Sequence, residues 1–122
     1  MDFFLDTYAM IEIVKGNKSY EAYLDKMFIT TKYNLAELHY FLLNNFGLAT
    51  ADFHLKKFYS YAIDFDAEII SKAMVLRKNL RSKKFRISHI DCLGYTVAVS
   101  NDVRFLTGDH HFKDLENVEF VQ

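Results

Sequence analysis

Arg104-Phe105-Leu106-Thr107-Gly108-Asp109-His110-His111-Phe112 is the stretch that decides the fold. Its first three residues are short, apolar and aromatic-rich, as a buried strand requires. Thr107 and Gly108 then end the strand, and Asp109 stands where a carboxylate suits the start of a helical turn. The chain opens in the same way. Phe3-Phe4-Leu5 is a strand candidate, Asp6 ends it, and Thr7 leads into a helix over Tyr8–Val14. Further strand candidates lie at Met27-Phe28-Ile29, Tyr61-Ala62-Ile63 and Val118-Glu119-Phe120-Val121.

Helical stripes separate these runs. Leu35, Leu38, Leu42 and Phe46 step by three and four, opened by Asn34 and closed at Gly47. Ile69, Ala73, Leu76 and Leu80 repeat the pattern after Asp66, and Asp91 to Ser100 forms a third helix. Gly94 and Ala98 lie four apart in that helix, a spacing that suits close backbone approach and offsets the roughly 1 kcal/mol a helical glycine costs. Strands alternating with helices predict an α/β fold: a single-domain three-layer α/β/α sandwich over residues 1–122, with a mostly parallel five-stranded sheet.

Composition narrows the class. The chain has 122 residues and 14.4 kDa, the size of one domain. Fifteen basic and sixteen acidic residues give a formal charge of −1, which excludes a strongly cationic coat but not a local basic patch. With 51% hydrophobic and 16% aromatic residues, disorder is excluded. Cys92 is the single cysteine, so neither an internal disulfide nor a cysteine-rich zinc site can form, and it reads as a small buried hydrophobe. No apolar run approaches the roughly 20 residues that span a bilayer, and the start has no basic region ahead of its apolar residues. A cytoplasmic protein without a membrane role is expected.

Four acids occupy helix-start positions: Asp6, Glu37, Asp91 and Asp109. In a parallel sheet the strand-to-helix junctions share one edge, where ligands bind. Taken singly, each acid reads as a cap; Asn34-x-x-Glu37 and Ser88-x-x-Asp91 both have the capping-box spacing. Taken together on one edge, they make an all-oxygen site suited to Mg²⁺ or Mn²⁺ and unsuited to zinc.

The segments Phe4-Leu5-Asp6-Thr7, Asn34-x-x-Glu37, Asp91 with Gly94 and Ala98, and Leu106 to Phe112 resemble the ordered motifs of PIN-domain nucleases, above all the compact VapC-type toxins. The resemblance implies a metal-dependent endoribonuclease, the toxin of a toxin–antitoxin pair. RNA is then the substrate and an antitoxin protein the partner, and a homodimer is expected. It assigns Asp6, Glu37, Asp91 and Asp109 as catalytic metal ligands, with Thr7 and Thr107 supporting them through hydrogen bonds. Tyr8, and Ser88-His89-Ile90 ahead of the third acid, depart from the family's usual small residues. A catalytically inactive PIN-like scaffold and a receiver-type signalling module are the alternatives. The latter draws on Asp64 and Asp66 but lacks paired acids after the first strand and a lysine after the fifth.

Other residues ask for a role. Arg77 to Arg86 carries six basic residues and no acid, with Arg81, Lys83, Lys84 and Arg86 as candidate RNA contacts and Phe85 as a stacking platform. The competing reading is a basic helix C-terminus that complements the dipole. His110 and His111 read as a solvated turn, with donation to phosphate or proton transfer as the other reading, and His39, His54 and His89, which show no partner pattern, as surface or helix-face residues. The aromatics Tyr40 to Tyr61 are mostly core, with any surplus forming a groove for a partner helix or second subunit.

Overall fold

The computed structural model describes residues 1–82 and 86–122. Its sheet is all parallel: β1 (Phe3–Leu5), β2 (Phe28–Ile29), β3 (Arg104–Thr107) and β4 (Val118–Phe120), in the order β2-β1-β3-β4. The segment expected as a further strand at Tyr61–Ile63 contributes one parallel bridge, Ala62 beside Thr30, on the outer side of β2. Its position continues the sheet, but the ladder does not extend: a 3-10 turn at Tyr59–Tyr61 runs directly into it.

Side-chain alternation builds the three layers. Phe4, Ile29 and Phe105 project to one face and pack with Ala73, Leu80, Val97 and Ala98. The last four belong to α4 (Ala67–Ser82) and α5 (His89–Ser100). Leu5, Phe28 and Leu106 project to the other face, under α1 (Thr7–Val14), α2 (Lys32–Phe46) and α3 (Leu48–Phe58). The expected close approach at Gly94 is present: a Cβ there would lie 2.9 Å from the Phe4 ring and 3.4 Å from Phe105. Gly47, at φ 91, separates α2 from α3.

Two details differ from the sequence reading. α2 begins a turn earlier than Asn34 because Thr31 is its cap, taking the Asn34 N–H at 3.2 Å. Phe46 is 55% exposed rather than part of the buried stripe of Leu35, Leu38 and Leu42. Among the described residues no helix is long and apolar enough to cross a membrane.

Candidate active site

Parallel strands deliver their C-terminal ends to a single edge, and the acids follow from that. Asp6 leaves β1 and caps α1, accepting the Ala9 N–H at 2.8 Å. Asp109 leaves β3 through Gly108 and caps the 3-10 turn His110–Phe112, accepting the His111 N–H at 3.0 Å. Asp91 reaches the same edge by another route. It follows α4 rather than a strand, but α5 returns the chain into β3 across a short connection, so α5 begins where β3 ends. Glu37 lies in the second turn of α2, beyond the capping positions.

Each acid is held by a donor of its own. Thr107, fully buried, donates its hydroxyl to Asp6 Oδ2 at 2.5 Å and accepts the Asp109 N–H at 3.1 Å, so one side chain ties two of the acids together. Register explains the contact: Leu5 pairs with Leu106, which places Asp6 beside Thr107. Thr7 donates to Glu37 Oε1 at 2.6 Å. Its orientation is set behind it, where Asn34 Nδ2 donates to Thr7 Oγ1 at 3.2 Å and Thr31 donates to Asn34 Oδ1 at 2.6 Å. Asn34 is therefore a buried positioning residue rather than the helix cap, a role that its place in the Asn34-x-x-Glu37 motif only partly signals. The capping-box reading fails for Glu37 and holds for Asp91, whose Oδ2 accepts the Ser88 N–H at 3.0 Å while Ser88 Oγ accepts the Asp91 N–H at 3.1 Å.

These carboxylates lie within reach of one another's charge. Burial pushes the Asp6 carboxyl up to about 8, against the hydrogen bonds from Thr107 and Ala9, and the charges of Asp91 and Asp109 push in the same direction. Glu37 is raised by burial and by Asp91, with Thr7 opposing. Asp91 is raised by burial and by Asp109, with Ser88 and then His111 opposing. Tyr8 stands at the mouth, raised by burial and by Glu12, Asp109 and Asp6. Its ring packs on Gly108, where a Cβ would lie 2.3 Å from Tyr8 Cε1 and 2.3 Å from the Val121 carbonyl oxygen. Tyr8 thus fills space that only a glycine leaves open.

No three of the four acids bring oxygens within 4.8 Å of one another; among the described residues that spacing is met by Asp109, His110 and His111. An oxygen-only donor set, partly buried, mutually repelling and held by fixed donors, fits a hard divalent cation.

The remaining candidates separate. Arg81 and Arg86 are exposed, while Lys83, Lys84 and Phe85 lie outside the described residues. Arg77, Lys78 and Arg81 line a cleft of about 570 Å³ with Met74 and His89, next to the start of α5. Asp64 pairs with Lys32 at 3.7 Å and Asp66 caps α4 through the Ile69 N–H at 3.2 Å, so neither joins the acid set. His39 and His54 are partly exposed on α2 and α3, as expected, but His39 has a partner the sequence did not signal, Asp52 at 2.8 Å, and His54 buries its Nδ1. Cys92 is fully buried, as expected.

Known structures share this architecture. VapBC2 of Rickettsia felis, solved bound to a DNA fragment from its promoter, superposes with a TM-score of 0.80 at 24% identity over 100% of both chains. VapC20 of Mycobacterium tuberculosis, described as a sarcin-ricin loop cleaving toxin, gives 0.78 at 16% identity over 99% of this chain and 100% of that one. A toxin–antitoxin complex from Klebsiella pneumoniae gives 0.73 at 15% identity, over 98% of this chain and 96% of that one. At such identities the likeness speaks for the fold. No curated protein matches the chain by sequence. A family model described as PIN domain does match, over residues 3–118, from β1 through the strand ends that carry Asp6 and Asp109 into the first residue of β4; the chain belongs to the PIN domain family.

Proposed function

We propose that this chain is a divalent-metal-dependent endoribonuclease, with Asp6, Glu37, Asp91 and Asp109 as the acids that hold Mg²⁺ or Mn²⁺. The observation that carries the reading is the convergence of four acids from distant parts of the chain on one sheet edge, three of them fixed there by Thr107, Thr7 and Ser88, with Asp6 held up to about 8 by burial and, after it, by the charges of Asp91 and Asp109. Capping accounts for Asp6, Asp91 and Asp109 one at a time, but not for Glu37 beyond the cap or for the gathering of all four within reach of one another's charge, which a cation would offset.

A divalent ion there supplies the positive charge that draws in a phosphodiester and offsets charge developing on its oxygens. The protein's own contribution is geometry. Thr107 fixes Asp6, Thr7 fixes Glu37 and the Ser88 backbone fixes Asp91, so the oxygens do not reorganise when the substrate arrives. Arg81 and Arg86 would meet phosphates away from the cleaved bond.

The three toxin structures and the exposed apolar surface of α2 and α3 favour a cytoplasmic toxin with an antitoxin protein as partner and a homodimeric form. Tyr40, Leu48, Phe53 and Tyr59 are each more than half exposed on or beside that hairpin, at 68%, 58%, 65% and 55%. The deciding experiment is cleavage of single-stranded RNA with Mn²⁺, with EDTA, and with Asp6→Asn or Asp91→Asn protein that keeps its helical circular dichroism. Metal-dependent cleavage lost in both variants supports the reading, and cleavage undiminished by EDTA overturns it.

A further inference from the structure

The end of β3 carries two imidazoles, His110 and His111, that the carboxylate set does not use, beside one acid, Asp109, that it does. Asp109, His110 and His111 place one ligand atom each within 4.8 Å of one another. The His111 Nδ1 meets Asp109 Oδ1 at 2.8 Å, the two imidazole rings lie 4.3 Å apart, and His110 is exposed. We propose that these three residues form a second, nitrogen-bearing metal site that takes zinc, and that its occupation draws Asp109 out of the carboxylate set and inhibits the nuclease. The binding half stands on this cluster alone; the inhibitory half rests on the nuclease reading above.

The donor chemistry decides the ion. One carboxylate oxygen and two imidazole nitrogens suit zinc, whereas Mg²⁺ keeps to oxygen ligands in a strict octahedron. Zinc binds such donors at about 2.0–2.2 Å, so tetrahedral partners stand about 3.4 Å apart, with the fourth position left to water. The Asp109–His111 pair needs to open by only a fraction of an ångström to reach that separation. The exposed His110 ring swings in from solvent. Asp109 keeps its backbone anchor meanwhile, because the His111 N–H continues to hold Oδ1 at 3.0 Å. What changes is the carboxylate's charge, now committed to zinc instead of to the ion shared with Asp6 and Asp91.

The test is calorimetric titration of zinc chloride into metal-free wild type, His110→Ala and Asp6→Asn, alongside RNA cleavage in Mg²⁺ with and without micromolar zinc. Wild type and Asp6→Asn should bind zinc equally, because Asp6 belongs only to the carboxylate set. His110→Ala should bind about tenfold more weakly or worse. Zinc should suppress Mg²⁺-supported cleavage by wild type and spare that of His110→Ala. Unchanged zinc affinity in His110→Ala overturns the site. Zinc binding abolished by Asp6→Asn places the ion among the carboxylates and also overturns it. If wild type cleaves no RNA with any metal, the nuclease reading and the inhibitory half fall together, while the titration still decides the site.

Discussion

Asp6 and Asp109 occupy matching places at the ends of neighbouring parallel strands, both cap the turn that follows, and both touch the Thr107 hydroxyl. Their surroundings are opposite. Asp6 is 3% exposed, receives two hydrogen bonds and is still pushed up to about 8. Asp109 is partly exposed and faces an imidazole at 2.8 Å. Capping therefore explains the position of each and the burden of neither. A cap at the surface stabilises by about 1 kcal/mol, but a buried carboxylate within reach of two further acids costs more than its cap returns unless a cation answers it.

The largest expected effect breaks the comparison into chemistry and stability. On the proposed reading, Asp6→Asn and Asp109→Asn should both reduce Mn²⁺-dependent RNA cleavage to background, since each would remove a metal ligand. They should differ in thermal melts with EDTA. Asp6→Asn removes a carboxyl that is ionised in the unfolded chain and must take up a proton on folding, so it should melt higher than wild type, by on the order of a few kcal/mol in stability at neutral pH, whereas Asp109→Asn should shift the melt far less. Equal shifts would show that the two environments are not as different as the structure has them.

Gly108, the residue directly before Asp109, sharpens the comparison. Gly108→Ala places a methyl 2.3 Å from the Val121 carbonyl and from the Tyr8 ring, and the backbone oxygen cannot yield as a side chain would. Stability should fall by about 1–3 kcal/mol. The displaced Asp109 should abolish cleavage while Asp6, anchored through Thr107 and Ala9, keeps its pH signature. That signature has a definite sign. The folded Asp6 carboxyl sits at about 8 against an ordinary 3.8, so the protonated form stabilises the fold. The contribution is complete below pH 4 and is lost as pH rises towards 8. Metal-free wild type and Gly108→Ala should therefore lose melting temperature across that window. Asp6→Asn should be flatter, and Mn²⁺ should restore wild type at the alkaline end by binding the folded state. A wild-type melt that rises across the window would contradict the burial of Asp6.

Asp6 and Asp109 were legible in the sequence because a strand ending in an acid is a local pattern: Phe3-Phe4-Leu5-Asp6 and Leu106-Thr107-Gly108-Asp109 announce both the sheet and its edge. The three-layer alternation of Phe4 with Leu5 and Phe105 with Leu106 follows from the same runs. What escaped was non-local. Thr31 rather than Asn34 caps α2, because Thr31-x-x-Asn34 and Asn34-x-x-Glu37 offer overlapping caps and only the tertiary pull of Thr7 on Asn34 chooses between them. Tyr61–Ile63 has strand composition, yet only one bridge forms where a 3-10 turn abuts it. His111 read as solvated because its partner, Asp109, is two residues away and bonded through a turn that the residue types alone do not specify.

The smallest expected effect concerns Asp91, where cap and repulsion oppose each other within one side chain. Its Oδ2 completes a true capping box with Ser88, and a carboxylate in the first turn of a helix is favoured by about 0.3–1 kcal/mol. Against that stand the charges of Asp109, Glu37 and Asp6. Asp91→Asn keeps an oxygen for the Ser88 N–H but loses both the dipole benefit and the repulsion. The net change in metal-free stability should thus lie within about 1 kcal/mol of zero. A double-mutant cycle with Asp109→Asn separates the two contributions. Once Asp109 is neutral, much of the repulsion on Asp91 is gone, and Asp91→Asn should become destabilising by a few tenths of a kcal/mol up to about 1. If the two substitutions are instead additive in EDTA, Asp91 does not feel Asp109. The pair would then act only as independent caps, and the carboxylates would not form the shared site on which the metal-dependent reading stands.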